Sequence, residues 1–336
     1  MDERNVRIDS LRGMACFLLV AYHVIGTDPN NGLKLSSGFY RDVADVLVYL
    51  RMPLFTFLSG VVYAYRPFRE GARDFIAKKA RRLLFPMLTV GTAFAVVQSM
   101  VPGANTGIEN WHMLHIIPVG HFWFVESLFL LFLSVVVLEK LHLLDGPKSF
   151  FWVFLAASIL YVSPIRNNYF SFSGFLYLLP YFLIGMAVYR YDLLAGLGFY
   201  SKTLLALVAA LIYILIYFRF LPEFDTRSLA GLLLGLASCL VIISLGFKSG
   251  FLAAIGVFSY SIYLFHVFFA AGARIFLLKI GFSNLDLMFL AGLFSGIGGP
   301  ILTELVLRTM NFSRVLFLGK APFKRERAAL SQAKAN

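Results

Sequence analysis

Asp9-Ser10-Leu11-Arg12-Gly13-Met14-Ala15-Cys16-Phe17-Leu18-Leu19-Val20-Ala21-Tyr22-His23 decides how the chain is read, because it sets two ionisable side chains into an otherwise apolar helix. From Arg12 to His23, eleven steps of about 100° return to within roughly 20° of the start. Both side chains therefore project from one face, about 16 Å apart along the axis. An Arg at a membrane edge and a His inside an apolar layer are costly unless they face protein or water, so both are candidate functional groups. The bland alternative makes Arg12 a flanking charge and His23 a hydrogen-bonded interior group. A shared groove face favours function.

With 336 residues, 59% hydrophobic and 14% charged, and a mean hydropathy of +0.78, the chain is no ordinary soluble globule. It reads as an all-α polytopic transmembrane helical bundle. Apolar stretches long enough to span fall at 11–27, 43–65, 83–101, 121–139, 150–164, 172–190, 203–221, 228–247, 251–279 and 285–310, about ten helices. The fifth is short, ending at Ser163-Pro164. In the eighth and tenth, Gly231, Gly235, Gly292, Gly296, Gly298 and Gly299 suggest close helix packing. Arg4, Arg7 and Arg12 ahead of an apolar run resemble a signal peptide, but no small-x-small cleavage site follows, and the run reads as the first membrane helix.

The net charge of +12 follows from membrane orientation rather than nucleic-acid binding. With the amino terminus cytoplasmic, about 22 of the 30 basic residues fall on the inner side, while Arg51 and Arg274 lie within spans. Both termini are then cytoplasmic. The division is a transmembrane domain over 1–320 and a basic tail over 321–336. The terminal charges from Lys320 onward, including Lys324, Arg325 and Arg327, read as a solvated run against anionic lipid head groups. Cys16 and Cys239 sit in apolar runs and carry neither a disulfide framework nor a metal pattern.

Between the second and third spans lie seven positive charges: Arg66, Arg69, Arg73, Lys78, Lys79, Arg81 and Arg82. They exceed what orientation needs and suit an anionic ligand such as a nucleotide-containing cofactor; positive-inside anchoring is the alternative. Pro86 follows at what reads as an early helical position, where no donor is lost. In the second span Arg51 needs a partner, and Glu126 in the fourth offers one as a buried ion pair. His121-Phe122-Trp123-Phe124 opens the fourth span and reads as an interfacial aromatic belt, with a substrate platform as the alternative. In the ninth, Tyr260, Tyr263 and His266 lie at spacing three, with His266 at about the depth of His23; taken alone His266 reads as a satisfied interior histidine. His112 and His115 have no carboxylate or Cys at metal spacing, so no metal is expected.

Taken together, Arg12-x10-His23, Met52-Pro-Leu-Phe-Thr-Phe-Leu-Ser-Gly60, the basic segment before Pro86, His121-Phe-Trp-Phe124 and Ser259-Tyr-Ser-Ile-Tyr-Leu-Phe-His266 resemble the acyltransferase 3 family over nearly the whole chain. The resemblance implies a ten-helix domain of the cell (cytoplasmic or inner) membrane. It would act as an O-acyltransferase, moving an acetyl group from cytoplasmic acetyl-CoA, a co-substrate, to a sugar hydroxyl of a lipid-linked or surface glycan. Arg12 and His23 match the family's essential pair. Its Arg-x-x-Arg element is matched literally by Arg66 and Arg69, and by position before Pro86 by Lys79 with Arg82 or Lys78 with Arg81. The soluble hydrolase-like domain of some members is absent, so the membrane unit acts alone or with separate glycan-assembly proteins.

The chemistry fits. Acyl transfer to a hydroxyl needs a base near neutral pKa, for which His23 is the candidate. It also needs the CoA phosphates neutralised at the inner face, where Arg12 and the basic segment lie, and donors for the oxyanion, for which Tyr263, His266 and Arg51 are candidates. The alternative is a secondary transporter or glycan-export protein without transferase activity. Paired inverted halves, which a transporter favours, are not visible in the sequence.

Overall fold

A computed structural model describes residues 5–68, 71–101 and 110–323. Arg69 and the terminal Lys324, Arg325 and Arg327 lie outside the described residues. Thirteen helices account for nearly all of the described structure, and apart from an isolated bridge between Leu114 and Ile117 it holds no strand. They are α1 (Val6–Ile25), α2 (Phe39–Val46), α3 (Val48–Tyr65), α4 (Ala72–Met100), α5 (Trp123–Lys140), α6 (Pro147–Val162), α7 (Phe172–Arg190), α8 (Phe199–Tyr217), α9 (Leu229–Ser244), α10 (Gly250–Gly256), α11 (Ser259–Lys279), α12 (Leu285–Leu307) and α13 (Asn311–Leu316).

Seven of these are long and apolar enough to cross a membrane, and α2 with α3 forms an eighth, bent by 45°. Helices α6 and α9 are apolar but short, 16 residues each, or about 24 Å. Ten rods therefore stand where ten spans are expected. On α8 the stripe of Leu204, Leu207 and Leu211 is exposed, as a lipid-facing surface requires.

Three expectations need correction. The ninth span is two helices, broken at Val257-Phe258. The basic segment before Pro86 is helix rather than loop: α4 begins at Ala72 and runs 29 residues, about 43 Å, well beyond a roughly 30 Å apolar layer. Pro86 is accordingly an interior residue, and its missing N–H leaves the Arg82 carbonyl without a helical donor. The hydroxyl of Tyr260 on α11 donates to that carbonyl at 2.6 Å.

Helices meet where a side chain would not fit. A Cβ on Gly60 of α3 would lie 2.1 Å from the Phe182 carbonyl oxygen, and one on Gly185 of α7 would lie 2.0 Å from that of Phe57. A Cβ on Gly13 or Gly256 would likewise strike the backbone of α10 or α1. Ser10 secures that second contact, donating to the Ser249 carbonyl and accepting from the Ser249 N–H, each at 3.0 Å. Gly292, Gly296 and Gly299 face Val24, Val20 and Phe269 at similarly short range, whereas Gly298 faces open space. Cys16 and Cys239 are free and buried.

Candidate active site

Helix α1 carries His23 one turn before its end at Gly26. The His23 Nδ1 lies 3.0 Å from the Leu19 carbonyl oxygen. A carbonyl only accepts, so Nδ1 bears the proton and Nε2 keeps the lone pair. On α11 the Nδ1 of His266 lies 2.9 Å from the carbonyls of both Ile262 and Tyr263, which fixes the same tautomer.

His121 completes a cluster that sequence reading missed. Its ring centroid is 5.8 Å from that of His23 and 4.9 Å from that of His266, which are themselves 4.7 Å apart. The turn carrying it, Gly120–Phe122, is held by the Tyr263 hydroxyl, which donates to the His121 carbonyl. His121, Phe122 and Phe124 are buried, so the belt reading of this stretch fails. A membrane belt and a buried site wall begin with the same residue types. Among the described residues no group of His, Cys, Asp or Glu is arranged to hold a metal ion. His115 lies apart, its Nε2 2.9 Å from the Thr92 hydroxyl.

His23 and His121 open onto a cavity of about 610 Å³, whose walls also carry Tyr22, Trp123, Tyr177 and Tyr263 and the three arginines Arg51, Arg227 and Arg274. His266 is fully buried behind His23. Arg51 does not pair with Glu126. Its guanidinium sits 3.5 Å over the Tyr22 ring and donates to the Ala44 carbonyl at the α2–α3 bend, at 2.8 Å. Glu126 accepts from the Ser171 hydroxyl through Oε2, and its buried Oε1 has no partner. Arg227 caps the end of α6, donating to the carbonyls of Leu160, Tyr161 and Ile165.

A second cavity, of about 630 Å³, lies at the other end of α4 and α11. Lys78, Lys79, Arg81 and Arg82 line it from α4; Arg308, Arg314 and Lys320 join them from the end of the chain. Sequence reading missed those three because folding alone brings them there. Arg82 donates to the Leu318 carbonyl at 2.6 Å, and its guanidinium lies 4.4 Å over the Tyr260 ring. Lys320 is not part of a solvated run: it pairs with Glu304, which also accepts from the Ser261 hydroxyl. The docked chain continues to Phe323, through Arg314 donating to the Ala321 carbonyl at 2.8 Å.

Arg12, expected at the donor site, borders neither cavity; it lies 3.5 Å from the Asp9 carboxylate. Arg66 ends α3 and also lies outside both linings. Lys79 turns toward the Phe132 ring, 3.6 Å from its centroid.

A multi-pass helical bundle holding a poised imidazole in a cavity has the framework of an integral membrane enzyme. The acyltransferase-domain model of the acyltransferase 3 family matches residues 5–305. The chain belongs to that family and is a multi-pass membrane acyltransferase. It matches no curated protein and no solved structure.

Proposed function

We propose that the chain moves an acetyl group from acetyl-CoA, bound in the basic cavity, to a hydroxyl of a lipid-linked or surface glycan bound in the histidine cavity. One observation carries this reading: α11 joins the two sites. Tyr260, beneath the Arg82 guanidinium at the basic end, and Tyr263, in the wall of the histidine cavity, are three residues apart, about 4.5 Å of helix. The charge asymmetry supports a cytoplasmic basic end with both termini on that side; the membrane proposed is the cell membrane.

The CoA phosphates sit among Lys78, Arg81 and Arg308, and the thioester arm extends along α11. Nε2 of His23 takes the proton of the glycan hydroxyl as its oxygen attacks the thioester carbonyl. The C–S bond then breaks, and the CoA thiolate leaves and takes the proton from the imidazolium. A covalent acyl-His23 route uses the same atoms. Charge on the carbonyl oxygen needs a donor. Tyr263 already donates to the His121 carbonyl, and His266 presents a lone pair, which leaves Arg51. The role of Arg12 rests on the family's spacing with His23.

In sealed, oriented vesicles, labelled acetyl-CoA supplied only at the basic face should label a glycan held only on the opposite face. Transfer that requires donor and acceptor on one face would overturn the through-membrane arrangement. No consumption of acetyl-CoA with any glycan would overturn the donor.

A further inference from the structure

The histidine cavity has a charge that transfer to a neutral sugar does not call for. Among the described residues lining it there are three arginines and no Asp or Glu. Arg227 is held by three hydrogen bonds at the end of α6, and Arg51 is assigned above to the oxyanion. Arg274 remains. Its Nη1 donates to the Gly32 carbonyl, while its buried Nε has no hydrogen-bond partner. A buried N–H donor without a partner is costly, and a bound oxyanion removes that cost.

The position of Arg274 is set by a tight loop. Gly32, at φ 59°, packs directly on Ile25 and Gly26 at the end of α1, so close that a Cβ there would lie 2.4 Å from the Gly26 nitrogen. Helical side chains lean toward their own amino terminus, and Arg274 reaches back along α11 to this loop. Its guanidinium is therefore anchored beside Gly26, three residues beyond His23, an axial offset of about 4.5 Å. The nearby Asp28 carboxylate is occupied by the Asn30 N–H and the Asn31 amide. Tyr22, Trp123 and Tyr177 also line these walls, and aromatic side chains suit the apolar face of a sugar. Gly174 makes room for one of them: a Cβ there would lie 2.7 Å from the Trp123 ring.

We propose that the acceptor is anionic, its carboxylate or phosphate held by the Arg274 guanidinium while its hydroxyl meets His23. This rests on the acyltransferase reading of the same cavity but is tested by binding, without turnover. The full chain in lipid nanodiscs is titrated with octyl glucoside, octyl glucuronide and octyl phosphate. The glucuronide should bind about tenfold tighter than the glucoside, as one charge-assisted bidentate contact gives. Arg274→Gln should abolish that preference, and Arg274→Lys should keep part of it. Tight octyl phosphate binding with no glucuronide preference, lost in Arg274→Gln, would also support the proposal and put the charge in a lipid linker. Equal affinity for all three probes would overturn it, as would an anion preference that survives in folded Arg274→Gln protein. Should Arg274→Gln fail to fold, added salt must shrink the wild-type preference; a salt-independent preference overturns the proposal. If glucuronide binds as described but no acetyl transfer is found, the transferase reading fails and the anion site stands.

Discussion

The imidazole of His266 stands edge to face with that of His23, their centroids 4.7 Å apart and their planes at 80°. Each ring donates its Nδ1 proton to carbonyls of its own helix, so neither side-chain base depends on a carboxylate to set its tautomer. The rings differ in access, since His23 borders the cavity and His266 is sealed. On the proposed transferase reading that difference divides the roles: His23 takes the substrate proton, and the second imidazole supports the charged ring that results.

His23→Ala should lower kcat by about 10² to 10⁴, the usual worth of a general base, and leave a folded, membrane-inserted protein. His266→Ala should lower it by about tenfold, one hydrogen bond's worth of transition-state support. Rates measured on purified protein decide this. Full activity in His23→Ala, or a greater loss in His266→Ala than in His23→Ala, contradicts the assignment.

Lys78 and Arg308 line the basic cavity and are exposed, so removing them tests charge without disturbing the core. Lys78→Gln with Arg308→Gln should raise KM for acetyl-CoA about tenfold with kcat little changed, the pattern of lost uniform binding. KM for S-acetyl pantetheine, which lacks the nucleotide phosphates, should not move. An equal rise for both donors would show that the cavity does not read phosphate.

The apolar helices were legible from hydropathy, seven of them long enough to cross a membrane and an eighth with the bent pair, and two of the three histidines were legible because an ionisable group in an apolar run stands out by its cost. His121 was not, since at the start of a span it looks like one more interfacial ring. The extension of α4 to Ala72 was missed because hydropathy cannot tell a charged helix from a charged loop. The break at Val257-Phe258 carries no proline. Gly256 presses there on the Asp9 carbonyl, a tertiary cause invisible in one chain segment. Arg308, Arg314 and Lys320 entered the basic cavity for the same kind of reason.

Gly60→Ala should destabilise the bundle by about 2 kcal/mol, as overpacking of a tight core does, because its new methyl meets the Phe182 carbonyl on α7. Gly298→Ala adds the same methyl where nothing lies within 4 Å and should be neutral or slightly stabilising through helix propensity. Melting of the two variants in the same detergent compares them directly. Equal melting temperatures would mean that the α3–α7 contact yields without cost.

The last prediction concerns the seam between the two cavities. Pro86 withholds the N–H that the Arg82 carbonyl would otherwise receive, and the Tyr260 hydroxyl replaces it at 2.6 Å. Tyr260→Phe should therefore cost about 1–3 kcal/mol, the penalty for leaving a buried carbonyl unsatisfied. In a Pro86→Ala background the backbone regains an N–H at that position, which can donate to the same carbonyl, so Tyr260→Phe should cost much less. The cycle of wild type, the two single variants and the double variant isolates this coupling, provided Pro86→Ala leaves the course of α4 unchanged. A penalty for Tyr260→Phe that is the same in both backgrounds would show that the hydroxyl does not stand in for the missing N–H. The link between α4 and α11 would then rest on the packing of Arg82 over the Tyr260 ring alone.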